Sequence, residues 1–173
     1  MQIVKKLIPR WKTQHRGVRP GNSKTEITAV FARLACKPTS DVSELYSMVG
    51  GLEVMDNDAF WRLWPLTEIL ERNTETSPYG ILFSDHLIDS WAYRLKYETD
   101  ARSSVYIDYF NHAPSPIKIF DGLEEFLIAY EENPNVIIKL PPAKPEVYCW
   151  GASKALVTLD PPKGGYSPNF IWS

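Results

Sequence analysis

A chain of 173 residues with 44% hydrophobic and 13% aromatic content carries enough apolar surface for one packed domain, which excludes disorder along its whole length. No apolar run approaches the roughly 20 residues that span a bilayer, and the opening MQIVKKLIPRWK lacks a signal-peptide core, so a cytoplasmic protein with no membrane partner is expected. The net charge of -2 hides an asymmetry: residues 1–24 hold seven Lys and Arg and no acid, whereas the remainder holds 12 basic residues and all 21 acidic ones.

Residues 1–22 form a basic N-terminal arm in this reading. Such an arm is the usual footprint of a nucleic-acid or membrane-surface contact. Ile3, Val4, Leu7, Ile8 and Trp11 favour burial, however, so an arm folded onto its own acidic body is preferred over nucleic-acid binding. Ser23 and Glu26 then make a Ser-x-x-Glu capping box, followed by Ile27, Val30, Phe31, Leu34 and Ala35 at helical spacing. Pro38 forces a turn into a second helix whose Val42, Leu45, Tyr46 and Val49 fall at i, i+3, i+4 and i+7. Thr39, Ser40 and Asp41 supply its cap, and Gly50-Gly51 its stop. A strand over Leu52 to Met55 follows, then one over Trp61 to Trp64, ended by Pro65 and a helical turn at Leu66 to Leu70.

Ile81 to Phe83 is a short apolar run. Trp91, Tyr93, Leu95 and Tyr97 alternate with Ala92, Arg94 and Lys96, the period of a half-buried strand. Ser104 to Phe110 and Ile117 to Phe120 add further strands. Asp121 with Glu124 caps a last helix with Leu123, Phe126, Leu127 and Tyr130 on its inner stripe. The expected architecture is α+β: two N-terminal helices and one later helix packed on a curved, mainly antiparallel sheet. Residues 134–173 hold 7 of the 14 prolines and read as a Pro-rich β appendage packed on the core, with strands at Val136 to Leu140, Glu146 to Trp150 and Ala155 to Leu159 and a turn at Gly151 to Ser153.

The order and spacing of KPTSDVSELYSMVGGLEV, FWRLWPLTEIL and SPIKIFDGLEEFLIAYEE resemble the SUKH superfamily. Its bacterial members include toxin-neutralising immunity proteins, and its fungal branch contains a cell-wall-synthesis regulator. Val49-Gly50-Gly51 stands where that family usually has Asn-Gly-Gly, and Phe83-Ser84-Asp85-His86 replaces its Gly-Asp pair. The resemblance covers Ser23 to Glu132 and implies a SUKH-like core over residues 23–133. It also implies a binding protein and no enzyme: an immunity protein that covers a basic toxin domain or, as the alternative, an intracellular regulatory scaffold of the cell-wall-regulator type; an uncharacterised hydrolase ranks last among the readings.

Chemistry-bearing constellations are sparse. Asp85, His86 and Asp89, joined by His112, are the only local set suited to zinc or iron, but they read as turn residues, and neither a metal nor another cofactor is expected. Ser84 beside Asp85 and His86 lacks a nucleophile elbow. Gly50-Gly51 and Gly164-Gly165 lack the Lys-Ser/Thr of a phosphate loop. Glu124, Glu125, Glu131 and Glu132 read as a solvated helix face. Cys36, placed on the apolar side of the first of these helices, and Cys149 are lone thiols suited to a reducing compartment. The aromatic set Trp91, Tyr93, Tyr97, Tyr106 and Tyr109 is split between core and contact surface, with core preferred. The expected partner-binding residues are Asp85, Asp89, Trp91, Glu98, Asp100, Asp108 and Tyr109, acids and aromatics near strand ends, facing a basic protein partner.

Overall fold

The computed structural model of the protein describes residues 1–110 and 113–137. The described residues all belong to one compact unit. The order is α1 (Gln2–Thr13), β1 (Val18–Pro20), α2 (Lys24–Arg33), α3 (Ser40–Met48), β2 (Val49–Leu52), β3 (Trp61–Leu63), α4 (Leu66–Arg72), β4 (Ile81–His86), β5 (Trp91–Tyr97), β6 (Ser103–Asp108), β7 (Ile117–Phe120) and α5 (Leu123–Glu132). This is an α+β fold. A two-stranded sheet pairs β1 with β2, and a five-stranded sheet runs β3-β4-β5-β6-β7 with every neighbour antiparallel. Register slips between Leu82 and Ser84 and between Val105 and Tyr106 are the irregularities that bend strands.

The capping box starts α2 as expected: Ser23 Oγ accepts from the Glu26 amide at 3.2 Å, and the Glu26 carboxylate accepts from the Ser23 amide at 2.7 Å. The stripes of α3 and α5 also hold, with Val42, Leu45, Tyr46, Leu123, Phe126, Leu127 and Tyr130 all buried. Phe126 lies at the centre, its ring 5.7 Å from Trp61, 6.1 Å from Phe83, 5.3 Å from Tyr93 and 5.7 Å from Phe120. Several polar tips inside this core are paired, although Trp61 Nε1 has no hydrogen-bond partner among the described residues. Trp11 Nε1 donates to the Tyr130 hydroxyl at 3.0 Å, which donates to Asp56 at 2.9 Å, and the Tyr46 hydroxyl donates to the Trp64 carbonyl at 3.1 Å.

Residues 1–22 do not extend away from the body. They form α1 and β1 inside the same compact unit, with Ile3, Val4, Leu7 and Trp11 buried. The burial of one face outweighs the charge, which stays outside on Lys5, Lys6 and Lys12. Helices therefore precede the main sheet three times instead of twice, and a fourth, α4, extends the expected turn after Pro65. Cys36 lies exposed beyond α2, because Ala35 takes a left-handed conformation (φ 53°) and ends the helical stripe early. Asp121 does not cap α5: the cap position is Gly122, and the Asp121 carboxylate pairs instead with Lys118 at 2.6 Å. Val136, expected in a strand, closes a short 3-10 helix, Pro134–Val136. The remaining expected tail strands, the 151–153 turn, Cys149, His112 and Gly164-Gly165 lie outside the described residues.

Gly50 and Gly51 do not stop α3 in the expected way. Val49 already has extended backbone (φ -144°), and both glycines belong to β2. Their role is close approach. A Cβ on Gly50 would strike the Pro20 carbonyl, and one on Gly51, which sits at φ 120°, would lie 2.7 Å from the Pro65 nitrogen. Gly51→Ala should therefore cost about 2 kcal/mol through strain and displaced backbone. Urea unfolding checks this, and an unchanged midpoint would mean that the β2 backbone yields freely.

Candidate functional site

Antiparallel pairing brings the start of β3, the end of β4, the start of β5 and the end of β6 to one end of the sheet, where Trp61 faces His86, His86 faces Trp91, and Ala92 faces Asp108. The β4–β5 connection there is only Leu87 to Ser90. Five residues at this end hold left-handed backbone without being glycine: Phe60 (φ 50°), Leu87 (46°), Ile88 (51°), Asp89 (64°) and Phe110 (53°). Each is disfavoured by Cβ crowding, most of all the β-branched isoleucine. They persist because the surroundings hold them. The Leu87 amide donates to the Phe60 carbonyl at 2.9 Å, the Ser90 amide to the His86 carbonyl at 3.0 Å, the Ser90 hydroxyl to the Leu87 carbonyl at 3.0 Å, and the Phe110 amide to Asp108 at 2.8 Å.

What this scaffold displays is apolar. Ile88 is 84% exposed, Leu87 45%, Phe60 44% and Phe110 38%. Beneath them lies an aromatic floor: the His86 ring stacks on Trp91 with centroids 3.8 Å apart, Phe60 meets His86 edge-on at 6.3 Å, and Trp91 contacts Tyr109 at 5.7 Å. Trp91 Nε1 donates to the Tyr93 hydroxyl at 3.2 Å, which donates to the Ile137 carbonyl at 3.0 Å. Burial pushes the Tyr93 phenol up from its ordinary value, opposed by the hydrogen bond from Trp91. Burial likewise pulls the His86 imidazole below 6.5, against the hydrogen bond to Ala59 and the charges of Asp85 and Asp56, which favour the proton.

A chain of charges ties this tip to the body. Asp85 accepts from Arg62 Nε at 3.1 Å, Arg62 reaches Glu68 at 2.7 Å, Glu68 meets Arg72 at 3.3 Å, and Arg72 holds Asp89 at 2.8 Å. Asp85 also accepts from Trp64 Nε1 at 2.6 Å, and the Arg72 guanidinium lies 4.9 Å from the Trp64 ring centroid. The network joins β3, α4, β4 and the tip.

The acids and aromatics expected at a partner surface are not assembled into one. Asp89, Trp91 and Tyr109 do lie at the tip end, with Asp89 exposed and the two rings half-buried. Glu98 and Asp100 sit at the opposite end of β5, about 20 Å away for a seven-residue strand. There Asp100 bonds Lys37 and Tyr97, which hold its carboxyl below the usual range, and Glu98 accepts from Ser104. Asp85 and Asp108 are corrected outright: they are 1% and 7% exposed, and Asp108 is bound by Arg94 at 2.6 Å. Charge alone does not distinguish an acid paired across strands from one facing solvent. Of the wider aromatic set, Tyr93 is buried, Trp91, Tyr106 and Tyr109 are half-buried, and Tyr97 is exposed.

Phe60, Leu87, Ile88 and Phe110 were missed. The available signal was local: Leu87-Ile88 is an apolar pair inside an otherwise polar turn, Asp85-His86-Leu87-Ile88-Asp89-Ser90. The metal-like set is also parted. Asp85 faces Arg62 and Trp64 while His86 faces Trp91, since neighbours on a strand point apart. Among the described residues no three His, Cys, Asp or Glu converge to hold an ion. Ser84 is fully buried and its hydroxyl has no hydrogen-bond partner among the described residues. Two surface clefts, one along α2 and one between β1, β2 and the start of α4, include no residue of the tip. Among the described residues no helix is long and apolar enough to cross a membrane. No protein-family model matches the chain, and no curated protein matches it.

Proposed function

We propose that this protein is a SUKH-type binding protein that acts in the cytoplasm by covering the surface of a protein partner, and that it is an immunity protein whose partner is a basic toxin domain. It works by occlusion and carries out no chemistry of its own. The observation that carries the reading is Ile88, 84% exposed on three consecutive left-handed residues. A fold gains nothing by holding a β-branched apolar residue in solvent at the cost of backbone strain, whereas an interface gains a preorganised anchor that loses little entropy on binding. Phe60, Leu87 and Phe110 would surround that anchor and exclude water. The excess of acids over bases beyond residue 24 would speed encounter with a basic partner.

The test is a single substitution with two readouts. Ile88→Gly relieves the left-handed strain and removes the anchor, so the melting temperature should rise by a few degrees, corresponding to about 1 kcal/mol. Affinity for a toxin domain encoded beside the gene should fall about thirtyfold, corresponding to about 2 kcal/mol. Calorimetric titration with the purified pair measures it. An unchanged dissociation constant sinks the tip as the anchor, and no binding to the neighbouring gene product sinks the immunity reading.

A further inference from the structure

We propose that His86 makes the tip acid-sensitive, so that protonating its buried imidazole opens the Leu87 to Ser90 turn and withdraws Ile88 from its presented position. As a statement about partner binding this rests on the function proposed above; as a statement about the turn it stands alone. His86 is the last residue of β4, and its carbonyl accepts the Ser90 amide that closes the turn. The side chain is buried, with its ring between the Trp91 face at 3.8 Å and the Phe60 edge at 6.3 Å. The imidazole donates to the Ala59 backbone, and its other nitrogen, Nδ1, has no hydrogen-bond partner among the described residues.

A neutral ring tolerates that arrangement, because Nδ1 leaves only an idle lone pair. An imidazolium does not. It must place a second N–H where no acceptor stands among the described residues and hold a charge away from water. The Trp91 face attracts a cation but supplies no acceptor in the plane of the imidazole. Charged groups around the ring do not rescue it. On β4 Asp85 is turned across the strand to Arg62 and Trp64, and in the loop before β3 Asp56 is engaged by the amides of Asp58 and Ala59 and by Tyr130. On β3 Trp61 is paired in register with His86, and Arg62, paired with Asp85, lies on the opposite face of the sheet; β5 brings Trp91 against the ring with Tyr93 two residues along the same face, and Tyr109, after β6, contacts Trp91. Asp89, within the turn, is held by Arg72. The strained turn is the element with least to hold it once His86 moves.

The experiment uses the full chain without a partner. NMR follows the His86 ring resonance and the exchange protection of the Leu87 and Ser90 amides, corrected for intrinsic rates, from pH 8 to pH 5. The ring should titrate below 6.5, the ordinary value. Opening of the turn should increase about tenfold per pH unit below that value, since the open state binds the proton that the closed state refuses. His86→Phe keeps a stacked ring that cannot titrate and should remove the dependence. A ring midpoint at or above 6.5, protection that ignores pH in the natural protein, or the same dependence in His86→Phe would each overturn the proposal. If His86→Phe does not fold, the ring midpoint and the pH dependence of amide protection measured on the natural protein still decide it. Because no partner enters the measurement, its failure is separate from any failure of the binding reading.

Discussion

Phe126→Ala should remove about 3 to 5 kcal/mol of stability, a large fraction of the roughly 5 to 15 kcal/mol that native domains hold. Phe126 is fully buried and its ring meets four others, contributed by β3, β4, β5 and β7. Truncation therefore loses both the transferred apolar area and the contacts of rings that are too rigid to close over the gap. The surrounding rings belong to different strands, so no single shift fills the space. The control is Ile128→Ala on the same helix. Ile128 is 40% exposed, and its loss should change stability by no more than about 0.5 kcal/mol. Denaturant unfolding of both variants, with the slope checked against the natural protein, separates lost stability from a changed unfolded state. Equal costs for the two substitutions would mean that α5 does not present this face to the sheet.

Asp85→Ala should cost about 3 to 5 kcal/mol as well, for a different reason. The carboxylate is almost inaccessible and satisfies two donors, Arg62 Nε and Trp64 Nε1. Removing it leaves a guanidinium with only Glu68 and an indole N–H with nothing, both inside the layer between α4 and the sheet. The cost is chiefly that of stranded partners rather than the worth of the pair. Asp85→Asn keeps an acceptor for Trp64, and Glu68 still balances Arg62, so its cost should be nearer about 1 to 2 kcal/mol. The same variants report on the tip, because the chain Asp85, Arg62, Glu68, Arg72, Asp89 ends there. Urea midpoints at neutral pH decide the matter. A loss under about 1 kcal/mol for Asp85→Ala would show that water reaches the site and screens it.

Elements set by neighbours in the chain are legible from the residues alone. The Ser23 and Glu26 box, the spacing of Val42, Leu45 and Tyr46, and the alternation from Trp91 to Tyr97 each encode an interaction within a few residues, so periodicity and capping chemistry suffice to place α2, α3, β5 and the α+β class. The order of helices and strands follows from the same local signals. α1 is only half legible: Ile3, Val4, Leu7 and Trp11 announce burial, but the basic segment becomes a helix only when a body exists to cover that stripe. The acids are misplaced for a related reason. The sequence says that Asp85 and Asp108 are carboxylates, but whether they meet solvent or an arginine depends on Arg62 and Arg94 arriving across the strands. The tip is the clearest case: Leu87 and Ile88 are adjacent in the chain, yet Phe60 and Phe110 join them only through the pairing of β3 with β4 and of β5 with β6. Local composition thus determined the elements and the character of each face. Tertiary pairing decided which charges are neutralised and which apolar residues are left outside, because both depend on contacts between residues far apart in the chain.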